Sequence, residues 1–198
     1  MSPRHPFRVA VGFVTVVAVV AITGAPASAN HTGPDPQTYT AALRPLNNSG
    51  VRGTATLTLD RNRLTVTIEA QGVEPDQVHP QHIHGFDDAG TNAVCPPDDA
   101  ADDIEGSPEE SDNPNDFISV PEGLPFYGDI LLPLQPFPTP DTDAYTFTET
   151  YSGKDLAPLQ PGRTTLANRH IVIHGDELPN GTYLASLPVA CGQIEPTG

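Results

Sequence analysis

Two short histidine motifs carry the side chains in this sequence that are best suited to chemistry. One reads HPQHIHG over residues 79–85, the other reads RHIVIHG over residues 169–175, and both end in His-Gly. His82 and His84 are two positions apart, so on a β-strand both imidazoles project from the same face and can reach one ion. His174 ends a separate apolar run and could supply a third ligand. Imidazoles without thiolates suit Cu(II) or Zn(II).

His170 is a weaker candidate for the same site. It has the strand parity of His174, but four residues span about 13 Å of strand, which is too far to share one metal without a bulge. The alternative for all of these residues is a role in packing or at the surface near strand ends. An H-x-H pair alone does not distinguish between these roles.

Residues 1–29 are predicted to be a secretory signal peptide. Arg4 and Arg8 lie in a basic segment before an apolar run over residues 9–22, and Ala27-Ser28-Ala29 has the small-residue pattern of a cleavage site. The run is shorter than the roughly 20 residues that span a bilayer. We therefore expect a secreted or cell-envelope protein, with no membrane span after cleavage and a single domain over residues 30–198.

An extracytoplasmic location favours a disulfide between the two cysteines, because disulfides persist there. Cys95 and Cys191 are the only cysteines, so a single intramolecular pairing exists. We predict that they form a disulfide. The alternatives are two free thiols or a bridge between molecules.

Composition excludes some classes of protein. The chain has 9 Lys and Arg against 25 Asp and Glu, for a net charge of −16, whereas a nucleic-acid-binding protein needs a cationic face. The 23 prolines cannot lie inside long helices, so a helical bundle is excluded as well.

Short alternating runs of apolar residues with Thr predict an all-β fold. Residues 51–60 and 63–70 alternate with period two around the turn Arg61-Asn62, which is typical of a β-hairpin with one buried face. Residues 86–125 contain 12 acidic residues and no Lys or Arg, and they predict a long irregular loop. We expect a β-sandwich or Greek-key β-barrel with little helix. The remaining strands are predicted at 39–43, 78–84, 129–134, 144–150, 170–174 and 184–194.

The motifs resemble a known family. GVEPDQVHPQHIHGFD, from residue 72, is similar to the first copper-binding segment of extracellular copper/zinc superoxide dismutases. RHIVIHGDELPNG and the later PVACGQI resemble the second copper strand and the terminal strand of that family. This resemblance implies a Greek-key β-barrel of the superoxide dismutase-like type, with copper ligands at His82, His84 and His174. It also implies that His79 braces the site by hydrogen bonding.

The same resemblance implies a disulfide between Cys95 and Cys191, and it makes Asp129 a match for the zinc-binding aspartate. The zinc site is otherwise missing. Ala101 stands where the histidine that bridges copper and zinc would be, and the sequence has no histidine between His84 and His170. We therefore do not expect zinc.

The residue that attracts superoxide is also missing, because Pro188 stands at the position of the family's arginine. A strongly acidic chain repels an anionic substrate. The HIHG motif and the later histidine strand further resemble bacterial secreted CHRD domains. We predict a secreted, superoxide dismutase-like (CHRD-type) protein that binds copper with low or no dismutase activity, which leaves open whether it is an enzyme. The alternative is an active copper-only superoxide dismutase of the cell envelope.

Overall fold

The computed structural model describes residues 35–88, 90–97, 100–101, 117–159 and 166–197. The predicted signal peptide over residues 1–29 lies outside the described residues, as does the part of the acidic stretch at 102–116. Within the described ranges, no helix is both long enough and apolar enough to cross a membrane.

The described chain forms nine β-strands, one α-helix and short 3-10 turns at Gly153–Leu156 and Leu166–Asn168. The helix, α1, covers Val120–Tyr127. The strands are β1 (Gln37–Pro45), β2 (Arg52–Asp60), β3 (Arg63–Gln71), β4 (Gln81–Gly85), β5 (Asp129–Pro133), β6 (Ala144–Ser152), β7 (His170–Glu177), β8 (Tyr183–Gln193) and β9 (Glu195–Pro196).

All pairings in the sheet are antiparallel, and the strand order is β5-β4-β7-β8-β1-β2-β3-β6, with β9 paired to β1. The predicted hairpin is confirmed: β2 and β3 pair from Asp60 opposite Arg63 onward. Its alternating apolar residues, such as Leu57, Val66 and Ile68, are fully buried. The prediction of an all-β fold is therefore confirmed.

One face of the sheet encloses the main core. Residues of both edge strands belong to it, such as Leu132 of β5 and Phe147 of β6. Ile83 of β4 and its neighbour Ile171 of β7 point into this core. Side chains alternate along a strand, so His82 and His84 project from the opposite face. The main core thus fixes the orientation of the histidine pair.

The opposite face of β7 and β8 is covered by the chain that follows β4. On this face lies a second apolar cluster, formed by Leu46, Ala100, Ile118, Tyr127, Val172 and Cys191. A disulfide between Cys95 and Cys191 ties this covering segment to β8 and joins positions 96 residues apart. The predicted disulfide is therefore confirmed.

Two local predictions were wrong. The long loop predicted over residues 86–125 contains α1, where no helix was identified from the sequence. The strand predicted over residues 78–84 begins only at Gln81. The His79 amide donates to the carbonyl oxygen of Pro138 in the β5–β6 loop, and Pro80 has no amide hydrogen for a ladder.

Candidate metal centre

His82, His84 and His174 converge on one point at the sheet surface. One ring nitrogen from each lies within 4.8 Å of the other two, and all three side chains are buried. β4 places His82 and His84 on one face, and it pairs with β7, which carries His174. The β7–β8 ladder shifts register on both sides of His174, while the His174 amide donates to the carbonyl oxygen of Pro80 at 2.8 Å. These contacts set the third histidine beside the first two.

Backbone carbonyls orient two of the rings. Nδ1 of His84 donates to the carbonyl oxygen of Gly128, and Nδ1 of His174 donates to that of Ser186, both at 2.9 Å. A carbonyl oxygen only accepts, so the proton of each neutral ring is on Nδ1. The lone pair is therefore on Nε2 in both rings, which is the form that binds a metal.

Among the described residues, no hydrogen-bond partner exists for one buried nitrogen of each histidine in the triad. These atoms are Nδ1 of His82, Nε2 of His84 and Nε2 of His174. Buried polar atoms are nearly always paired, because an unpaired one costs about 1–3 kcal/mol. Three such atoms from three adjacent rings are the arrangement that a metal cation would satisfy.

Burial keeps these rings neutral. Desolvation lowers the pKa of His82 to about 3, and electrostatic repulsion from His174 and His84 acts in the same direction. Desolvation also lowers the pKa values of His84 and His174 to about 4, although their backbone hydrogen bonds act in the opposite direction. The rings therefore carry free lone pairs at neutral pH, and no proton has to be removed before a metal binds.

His79, for which the resemblance predicted a bracing role, lies beside the triad. Its Nε2 lies 2.8 Å from the carbonyl oxygen of Glu74, and its Nδ1 lies 3.2 Å from that of His174. Tyr183 packs edge-on against His79 and donates to the carbonyl oxygen of Val78 at 2.6 Å. The ring of His79 therefore links the segment before β4 to the backbone of the third histidine.

Gly175, the last residue of the second motif, leaves room for this brace. Its φ is +105°, a conformation that favours glycine. A side chain at this position would overlap the hydroxyl of Tyr183 and come within 3.2 Å of Nδ1 of His79. Packing against Tyr183 and His79 therefore explains why a glycine follows the last histidine of this motif.

An aromatic ring covers the triad on one side. The ring centroid of Phe137, in the β5–β6 loop, lies 5.4 Å from that of His82 in an edge-to-face arrangement. His82 is the most accessible of the three, at 9% exposure, against 2% for His84 and 5% for His174. Access to a bound ion would therefore be narrow and close to His82.

The secondary candidates lie elsewhere. Asp129 is exposed opposite Gly85 at the start of β5, and it is not among the groups that converge on the triad. His170 groups instead with Cys95 and Cys191. Sequence reasoning missed the carbonyl partners and Phe137, because a backbone acceptor or a covering ring leaves no motif.

Comparisons with known proteins add little. No protein-family model matches the chain, and no curated protein matches it. Among solved structures, it is similar to a point mutant of superoxide dismutase 5 from Candida albicans, at 16% identity, over 83% of this chain and 92% of that chain, with a TM-score of 0.40. The resemblance to CHRD domains finds no support in these comparisons and stays a prediction.

Proposed function

We propose that this protein is an extracytoplasmic copper-binding protein that holds one ion with His82, His84 and His174. Two observations carry the proposal: one nitrogen from each of the three buried rings lies within 4.8 Å of the other two, and each ring has a buried nitrogen without a partner among the described residues. The proposed location is supported by the signal-like N-terminal sequence and by the disulfide.

The donor set favours copper. Among the described residues, the group consists of three imidazoles with no carboxylate or free thiolate. Imidazole nitrogens bind Cu(II) more tightly than Zn(II) when the geometry imposes no preference. When bound, copper would supply a centre that can accept and return one electron.

We further propose that dismutase activity is low or absent. Pro188, which stands where the related family has its arginine, lies directly opposite His174 in the β7–β8 ladder and is buried. That position therefore offers no positive charge beside the triad. The chain carries a net charge of −16, which repels superoxide at a distance.

Copper titration of the purified protein, followed by a superoxide-decay assay, tests this function. The wild type should bind one copper ion, and His82→Ala should weaken binding by more than about 100-fold, because loss of even an outer-shell partner costs 10–100-fold. His170→Ala is the matched control, since it removes a buried histidine outside the triad. Unchanged binding in His82→Ala would exclude the site, and rapid dismutation by the copper-loaded wild type would favour the copper-only dismutase.

A further inference from the structure

A second group of metal-binding side chains lies next to the triad, and it includes the disulfide. A ring nitrogen of His170 and the sulfur atoms of Cys95 and Cys191 all lie within 4.8 Å of one another. His170 is 1% exposed, and its Nδ1 is buried without a hydrogen-bond partner. In the oxidised protein, this imidazole faces two sulfur atoms that are committed to each other.

We propose that reduction of the disulfide creates a second metal site, in which Cys95, Cys191 and His170 bind a soft cation such as Cu(I). Thiolates select soft ions, and a neutral imidazole completes such a set. The unpaired Nδ1 of His170 would also gain a partner in the reduced, metal-bound form.

The geometry allows this exchange with small movements. A tetrahedral ion with bonds of about 2.3 Å to sulfur holds two thiolates about 3.8 Å apart. The Cα atoms of the two cysteines are 5.8 Å apart, so rotation of the side chains can provide this separation. A cavity of about 300 Å³ adjoins the three residues and gives an ion room to enter.

Two charged residues of opposite sign, Arg44 and Glu195, line this cavity. Arg44 lies opposite Cys191 in the β1–β8 ladder and lines the same cavity. A nearby positive charge stabilises the thiolate form of a cysteine. Arg44 would therefore favour the deprotonated ligand that a metal requires.

Reduction of the disulfide requires an external reductant of the phosphine or dithiol class. Two electrons and two protons convert the disulfide into two thiols, and the reductant is oxidised by two electrons. When the cation binds, the two thiols release two protons to solvent, and two sulfur–metal bonds form. The proposal does not depend on copper binding at His82, His84 and His174.

Cadmium titration of the phosphine-reduced full chain tests the proposal. Cd(II) is redox-inert, and its thiolate charge-transfer band reports only cysteine ligands, so binding at the histidine triad does not contribute. We expect the band to reach its full intensity at one ion per chain, with alkylation of the two thiols slowed at least about tenfold. His170→Ala should weaken Cd(II) binding by about tenfold or more, whereas His82→Ala should leave it unchanged.

Several outcomes would overturn the proposal. One is the absence of a charge-transfer band from the reduced wild type. Another is equal Cd(II) binding by His170→Ala and the wild type, because the imidazole would then not be a ligand. Circular dichroism of the reduced protein provides the last check, since an unfolded reduced chain would also contradict a site built on the folded sheet.

Discussion

The side chain of Arg169 lies over Gly85, so the two histidine motifs interlock. A Cβ atom at Gly85 would be 2.8 Å from Nη1 and 3.0 Å from Nε of Arg169 and would overlap its Cδ. His84 precedes Gly85, and His170 follows Arg169. These two histidines are direct partners in the β4–β7 ladder. The arginine of the second motif therefore requires a glycine in the first, and this glycine is next to the triad ligand His84.

Substitution of this glycine should weaken both the fold and the site. We expect Gly85→Ala to lower the free energy of unfolding by about 1–3 kcal/mol, because an added group in a packed region forces its neighbours to move. Copper affinity should fall as well, since His84 is adjacent. Urea denaturation measures the first effect and copper titration the second. Gly90→Ala is the control, because its nearest obstacle is an exposed carboxylate oxygen of Asp88 at 3.3 Å. Equal stability of the two variants would show that Arg169 moves freely.

The metal-free protein should hold two histidines in one tautomer. His84 and His174 each donate from Nδ1 to a carbonyl oxygen, so both should carry the proton on Nδ1 at neutral pH. Nitrogen-15 NMR of the ring nitrogens measures this directly, and added metal should shift the Nε2 resonances. A dominant Nε2–H tautomer in either ring would mean that its lone pair does not face the triad.

Acid should destabilise the metal-free protein. Burial lowers the pKa of His82 to about 3 and those of His84, His170 and His174 to about 4. The unfolded chain titrates these groups near 6.5, so between about pH 6.5 and pH 4 it binds more protons than the folded chain. The free energy of unfolding should therefore fall as the pH decreases through this range, by up to about 1.4 kcal/mol per pH unit for each histidine.

Denaturant unfolding at several pH values checks this behaviour. His170→Gln is the informative control, because it removes one buried histidine outside the triad and should reduce the slope. Stability that does not change between pH 7 and pH 5 would mean that these rings are not held in a neutral, desolvated form.

The strands and the triad could be predicted because their signals are local. Alternation of Thr with apolar residues specifies a half-buried strand, and the spacing of His82 and His84 specifies a shared face. The helix α1 was missed because Pro121 and Pro125 argue against a helix. Its start does carry the S-x-x-E pattern of a capping box, and the Ser119 amide donates to Oε2 of Glu122 at 2.6 Å.

The atoms that complete the site could not be predicted from the sequence. The carbonyl oxygens of Gly128 and Ser186 orient two ligands, but any residue type supplies a carbonyl. Phe137 covers His82 from a proline-rich loop, and its position depends on how that loop packs against the segment before β4. Such contacts arise from tertiary structure and have no spacing rule along the chain.

Anomalous X-ray diffraction at the copper edge, from crystals of the copper-loaded protein, tests the central claim most directly. The predicted result is one strong peak about 2 Å from Nδ1 of His82, Nε2 of His84 and Nε2 of His174. Each of these three nitrogens is buried and has no hydrogen-bond partner among the described residues. An empty triad in copper-loaded crystals, or a dominant peak elsewhere on the chain, would contradict the proposed copper site.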